Sequence, residues 1–127
     1  MDTTLLHIQV GWGSMILGAL SGAAIGLFFH RAGWAGGYGA FRRRMMRLGH
    51  IAFFGIGILN LLFGFTLQFI ALPESLELFA SAGFILAAIA MPLCCFLTAW
   101  RKPFRHLFPI PVLGVLAGIL PILLGGI

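Results

Sequence analysis

A chain of 127 residues that is 61% hydrophobic and 9% charged, with a mean hydropathy of +1.08, has too few polar side chains to cover a soluble exterior. A net charge of +5 and a pI near 10.7 would suggest nucleic acid as the partner of a soluble protein. Here the basic residues fall in gaps between long apolar runs, where they face anionic lipid head groups, and no nucleic-acid partner is expected.

The start, Met1-Asp2-Thr3-Thr4, carries an acid where a secretory signal would carry a basic region. The apolar run behind it is also too long for one, so no cleaved leader is expected. That run predicts a first helix over about 5–29. Along it Ser14, Gly18, Gly22 and Gly26 recur every four residues and form a ridge of small side chains, against which another helix can pack closely. His7 shares that face. A basic loop over 30–47 follows, holding Arg31, Arg42, Arg43, Arg44 and Arg47, with Trp34, Tyr38 and Phe41 suited to the head-group layer.

The second helix is predicted over about 48–72. At about 100° per residue, Met46, His50, Phe53, Gly57, Asn60, Gly64 and Gln68 fall on one face, which is too polar for acyl chains. Asn60 and Gln68 are expected to point into the bundle as interhelical hydrogen-bonding groups. The short link Pro73-Glu74-Ser75 makes the next helix an antiparallel neighbour, with Ser75 as its expected N-cap. That third helix, over about 76–100, contains Pro92, expected to kink it, and the adjacent Cys94 and Cys95, which cannot readily meet disulfide geometry. A second basic loop over 101–106 holds Arg101, Lys102 and Arg105. The fourth helix, over about 107–127, tolerates Pro109 and Pro111 in its first turn, is expected to kink at Pro121, and carries a second small ridge at Gly114 and Gly118.

These elements predict an all-α integral membrane protein, a single four-helix domain over 1–127 with antiparallel neighbours. Lys and Arg flanking such helices are retained on the cytoplasmic side. Both basic loops are therefore expected in the cytoplasm of an inner-membrane protein, with both chain ends outside.

No carboxylate lies deeper in a span than Glu77 in the first turn of the third, and no hydrolytic triad, zinc-protease motif or phosphate-binding loop is present, so no catalytic activity is expected. The leading expectation is a small non-catalytic subunit or assembly partner of a larger membrane complex, meeting other subunits or copies of itself through its small-residue ridges. A second reading comes from the donors that collect at the basic end. His50 and His106, with His30 as substitute, could be axial ligands of a b-type haem, with Gly57 and Gly64 giving the macrocycle room. Copper handling through Met46, His50, Cys94 and Cys95 is a third.

Overall fold

A computed structural model describes residues 2–126, and within them the protein is all helical. Its main helices are α1 (Thr3–Phe29), α2 (Phe41–Thr66), α3 (Glu74–Trp100) and α4 (Pro109–Gly125). All four are long and apolar enough to cross a membrane, α4 when counted with the 3₁₀ turns of Lys102–Leu107 that lead into it. The last residue of the expected fourth helix, Ile127, lies outside the described residues.

Two helix boundaries differ from the sequence expectation. α2 begins at Phe41 rather than 48, so four of the arginines are helical residues and not loop residues. Arginine is a good helix former, and Arg42, Arg43 and Arg47 find partners on neighbouring helices, which removes the reason to stay extended. At its other end α2 stops at Thr66 rather than 72. Thr66 Oγ1 donates to the Leu62 carbonyl at 2.6 Å, a back-bond that weakens the last turn. The chain then turns so that Ile70 and Leu72 pack against Phe63, Ala80 and Phe84. α3 starts directly behind Pro73 at Glu74, and no side chain caps it, so Ser75 lies inside the first turn instead of ahead of it. Asp2 supplies a true cap for α1, its side chain accepting from the Thr4 N–H at 3.0 Å.

The helices pack in chain order, α1 on α2, α2 on α3, α3 on α4, with a smaller contact between α1 and α3. α3 is therefore central: 50% of its most apolar stretch is buried, against 17% for α1 and 22% for α4. The antiparallel order brings both basic clusters to one end of the molecule, where Arg42 meets Ala99 and Lys102 lies over the Phe41 ring. Glu74 and Glu77 open α3 at the opposite end, where α1 also begins.

Buried positions on α1 are His7, Gly11, Ser14, Gly18 and Ile25, and Gly22 is half-buried between the last two. This series keeps the helical period of about 3.6, whereas a strict every-fourth-residue ridge rotates by about 40° at each step. The packed stripe therefore passes to Ile25 and leaves Gly26 exposed, with nothing within 4 Å of where its Cβ would be. That removes Gly26 from the internal packing set.

Where glycine is used, helices meet backbone to backbone. A Cβ on Gly57 would lie 3.0 Å from the Gly11 carbonyl oxygen and 3.0 Å from Ser14 Cβ; one on Gly64 would lie 3.0 Å from the Thr4 carbonyl oxygen. On the other side of α3, a Cβ on Gly83 would lie 2.5 Å from the Gly114 carbonyl oxygen, and one on Gly118 would strike the Phe84 ring at 2.7 Å. Backbone atoms cannot swing aside as a side-chain tip can. Gly83→Ala is therefore expected to destabilise the protein by about 1–3 kcal/mol. Gly55→Ala, with open space at its Cβ, should stabilise it by about 0.5–1 kcal/mol through reduced chain entropy. Unfolding in mixed micelles measures both, and equal effects would show that the α3–α4 crossing is looser than the Gly83–Gly114 approach requires.

Candidate functional site

Two buried polar centres stand out, and neither is the set of donors expected from sequence. The first lies toward the acidic end. His7 of α1 is fully buried between Asn60 of α2 and Ser81 of α3. Its Nδ1 is 2.7 Å from Asn60 Oδ1 and its Nε2 is 2.8 Å from Ser81 Oγ. Asn60 Nδ2 donates to the Ile56 carbonyl at 2.9 Å and to the Phe84 carbonyl at 3.3 Å, which fixes Oδ1 as the atom facing His7. With its hydrogen on Nδ1, the ring donates to Asn60 and accepts from the Ser81 hydroxyl, so both nitrogens are satisfied. Phe63 meets the imidazole edge to face at 4.6 Å.

Ser81, His7 and Asn60 thus line up as a hydroxyl, an imidazole and a carboxamide, the order of a nucleophile, its base and an orienting group. Their setting does not suit acyl transfer. Ser81 lies inside α3, where the neighbouring N–H groups are committed to the helix and provide no oxyanion hole. The arrangement ties three helices together at one point.

The second centre lies at the basic end. Arg43 is fully buried. Its guanidinium donates to the Phe29 carbonyl and, at 3.2 Å, to the Arg31 carbonyl, so it caps the C-terminal end of α1 from another helix. The guanidinium carbon lies 4.0 Å from the Phe29 ring centre and 4.1 Å from that of Tyr38, which sandwich it. Tyr38 OH in turn donates to the His30 carbonyl at 2.9 Å. Gly36 and Gly37, at φ of 88° and 100°, let the chain reverse tightly enough to bring Tyr38 back over the arginine.

The expected haem ligands do not converge. His50 Nδ1 donates to the Gly18 carbonyl at 2.7 Å, and the ring presses against Gly22 so closely that a Cβ there would overlap it. His30 is exposed at the end of α1, and His106 is exposed in the 3₁₀ turns before α4. The room beside Gly57 and Gly64 is taken by the α1 backbone at Gly11 and Thr4. These residues therefore do not fit a haem held between His50 and either partner, since the macrocycle would have to displace α1.

The sulfur donors do meet, but inside an apolar cluster that also holds Phe41 and Phe108. Cys94 and Cys95 are both buried and free, and Cys95 packs with Met45 and Ala99, with Met46 against them. Among the described residues no group of three or more His, Cys, Asp or Glu could hold a metal ion. Of the polar pair expected inside, Asn60 is fully buried, whereas Gln68 is exposed. The early end of α2 puts Gln68 in a turn, off the helical face that its spacing implied.

His7 and Arg43 were not singled out for these roles by the sequence. The signal for His7 was present, because it shares the small-residue face of α1. For Arg43 there was none, since one arginine in a run of three looks like its neighbours. Comparison with protein families, curated proteins and solved structures finds no match for this chain.

Two consequences can be measured. His7→Leu leaves Asn60 Oδ1 and the Ser81 hydroxyl unpaired and should cost about 1–3 kcal/mol. A His7–Asn60 double-mutant cycle should give a coupling near the range for interhelical bonds in lipid, about 0.6–1.7 kcal/mol. Arg43→Lys should not rescue Arg43→Ala, because an ammonium cannot fork to two carbonyls while stacked between two rings. Both variants should lose about 2 kcal/mol and expose the Arg31 peptide bond to trypsin; full protection in Arg43→Lys would mean that charge alone suffices.

Proposed function

We propose that this protein is a small, non-catalytic subunit or assembly partner of a larger inner-membrane complex. The basic end faces the cytoplasm, and the Asp2 end of α1 and the Gly125 end of α4 face outward. The orientation is supported by charge: all eight Lys and Arg residues belong to the segments that meet at one end, and the acids open the helices at the other.

One observation carries the assembly reading. Ala19, Ala23 and Gly26 form a small-residue face on the exposed flank of α1, and among the described residues nothing lies within 4 Å of a Cβ placed on Gly26. Small side chains on a lipid-facing surface let a second helix approach closely, and van der Waals packing is what drives helix association there. The internal polar groups support the same reading from the other direction. His7, Asn60, Ser81 and His50 spend their hydrogen-bonding capacity on neighbouring helices, leaving a scaffold rather than a reactive centre.

The test uses the substitution that the fold itself tolerates. Gly26→Leu should leave the protein monodisperse and as stable as wild type, yet abolish co-purification with its partner chains in mild detergent. Wild-type protein should retain those chains in a fixed ratio. A wild-type protein that purifies alone, or a Gly26→Leu variant with an unchanged complement, would refute the proposal. Cysteine crosslinking at position 26 separates the two kinds of partner, a second copy and a different chain.

A further inference from the structure

On the face of α2 and α3 away from α4, two hollows follow one another and share Phe96. The upper one, about 360 Å³, is a slot between α1, α2 and α3 walled by Val10, Leu17, Phe53, Ile89, Leu93 and Phe96. The lower one, about 300 Å³, continues to the basic end between Arg42, Met46, Ala99 and Trp100, again with Phe96. The Phe96 ring lies across Gly49, where a Cβ would sit 2.7 Å away, and its centre is 6.2 Å from that of Phe53. Arg42, Met46, Gly49 and Phe53 form one stripe of α2, and Ile89, Leu93, Phe96 and Trp100 form the facing stripe of α3. The two hollows thus follow the same pair of facing stripes, with Phe96 at their junction, and together they line one furrow between α2 and α3.

Its dimensions and charge choose the occupant. At a rise of 1.5 Å per residue, Ile89 to Trp100 spans about 16 Å, close to the roughly 15 Å of one leaflet of hydrocarbon. Apart from Ser14 the slot is walled by hydrocarbon side chains, which suit an alkyl chain. At the mouth, Arg42 Nε donates to the Ala99 carbonyl at 2.9 Å, which fixes the guanidinium in place. Its terminal NH₂ groups make none of the described hydrogen bonds. The Arg101 guanidinium carbon lies 4.9 Å from the Trp100 ring centre beside it, and all three acids belong to the other end of the molecule. A pre-positioned guanidinium flanked by an indole suits a phosphate at the head-group layer.

We propose that this furrow is a binding site for one anionic phospholipid, with an acyl chain in the slot and the phosphate on Arg42. The proposal rests on the helices lying in a bilayer. It requires neither the cytoplasmic orientation nor a partner subunit, so it can fail while the assembly reading stands, and the reverse.

Purified protein equilibrated with equal amounts of phosphatidylglycerol and phosphatidylcholine in detergent should retain one phosphatidylglycerol preferentially in native mass spectrometry. Arg42→Gln should reduce that preference at least about fivefold, whereas Arg44→Gln, an exposed arginine elsewhere on α2, should not change it. Ala88 also lines the slot, and Ala88→Phe, which fills it, should remove the retained lipid. Equal loss in both arginine variants would reduce the effect to diffuse attraction, and retention in Ala88→Phe would place the chain outside the furrow; either result overturns the site. If Ala88→Phe does not fold, a protein keeping Trp100 as its single tryptophan (Trp12→Phe, Trp34→Phe) decides the matter in vesicles. Brominated phosphatidylglycerol should quench it more strongly than brominated phosphatidylcholine at the same mole fraction, and equal quenching overturns the proposal.

Discussion

Between apolar helices surrounded by apolar solvent there is almost no hydrophobic driving force, so association depends on how closely the backbones can approach. In this protein that approach is made at Gly11, Gly57 and Gly64 between α1 and α2, and at Gly83, Gly114 and Gly118 between α3 and α4. The rest of the structure follows from those contacts. Only because α1 lies so near α2 does His7 reach across to Asn60 and Ser81, and only then does His50 find the Gly18 carbonyl. The same closeness removes the space in which a haem would have to sit.

The two ends of the molecule solve different problems. Toward the acidic end the difficulty is polar groups inside an apolar interior, and it is met by a closed chain of hydrogen bonds from hydroxyl to imidazole to carboxamide to helix carbonyl. At the basic end the difficulty is the free carbonyls where α1 stops, and it is met by bringing in a charge. Arg43 neutralises the negative end of the helix and is itself shielded by Phe29 and Tyr38. Its neighbour Arg42, one residue and about 100° around the helix, points to the other side and reaches α3. Adjacent arginines in one run thus have separate duties, which their shared composition conceals.

The number and approximate position of the apolar helices were legible because length and hydrophobicity are local properties, and the small ridges were legible because spacing on one helix is local too. The ends of α2 were not. The apolar run extends from 48 to 72, yet the helix is shifted toward the arginines because they find carbonyl and aromatic partners on α1 and α3. Gln68 was misplaced because it lies beyond a helix end set by the turn to α3, and Gly26 leaves the internally packed stripe because a four-residue step drifts off the 3.6-residue period.

By itself, then, the sequence determined that this chain forms four apolar helices with its positive charge gathered in alternate gaps between the apolar runs, since those properties depend only on neighbours along the chain. Which donors meet was decided by tertiary structure. His7 lies 53 residues from Asn60 and 74 from Ser81. No periodicity within one helix relates such positions, because the relative rotation and depth of two helices come from how their surfaces interlock. That interlocking left His30, His50 and His106 apart, joined His7 to two other helices, and opened beside Arg42 a furrow to which no single helix points.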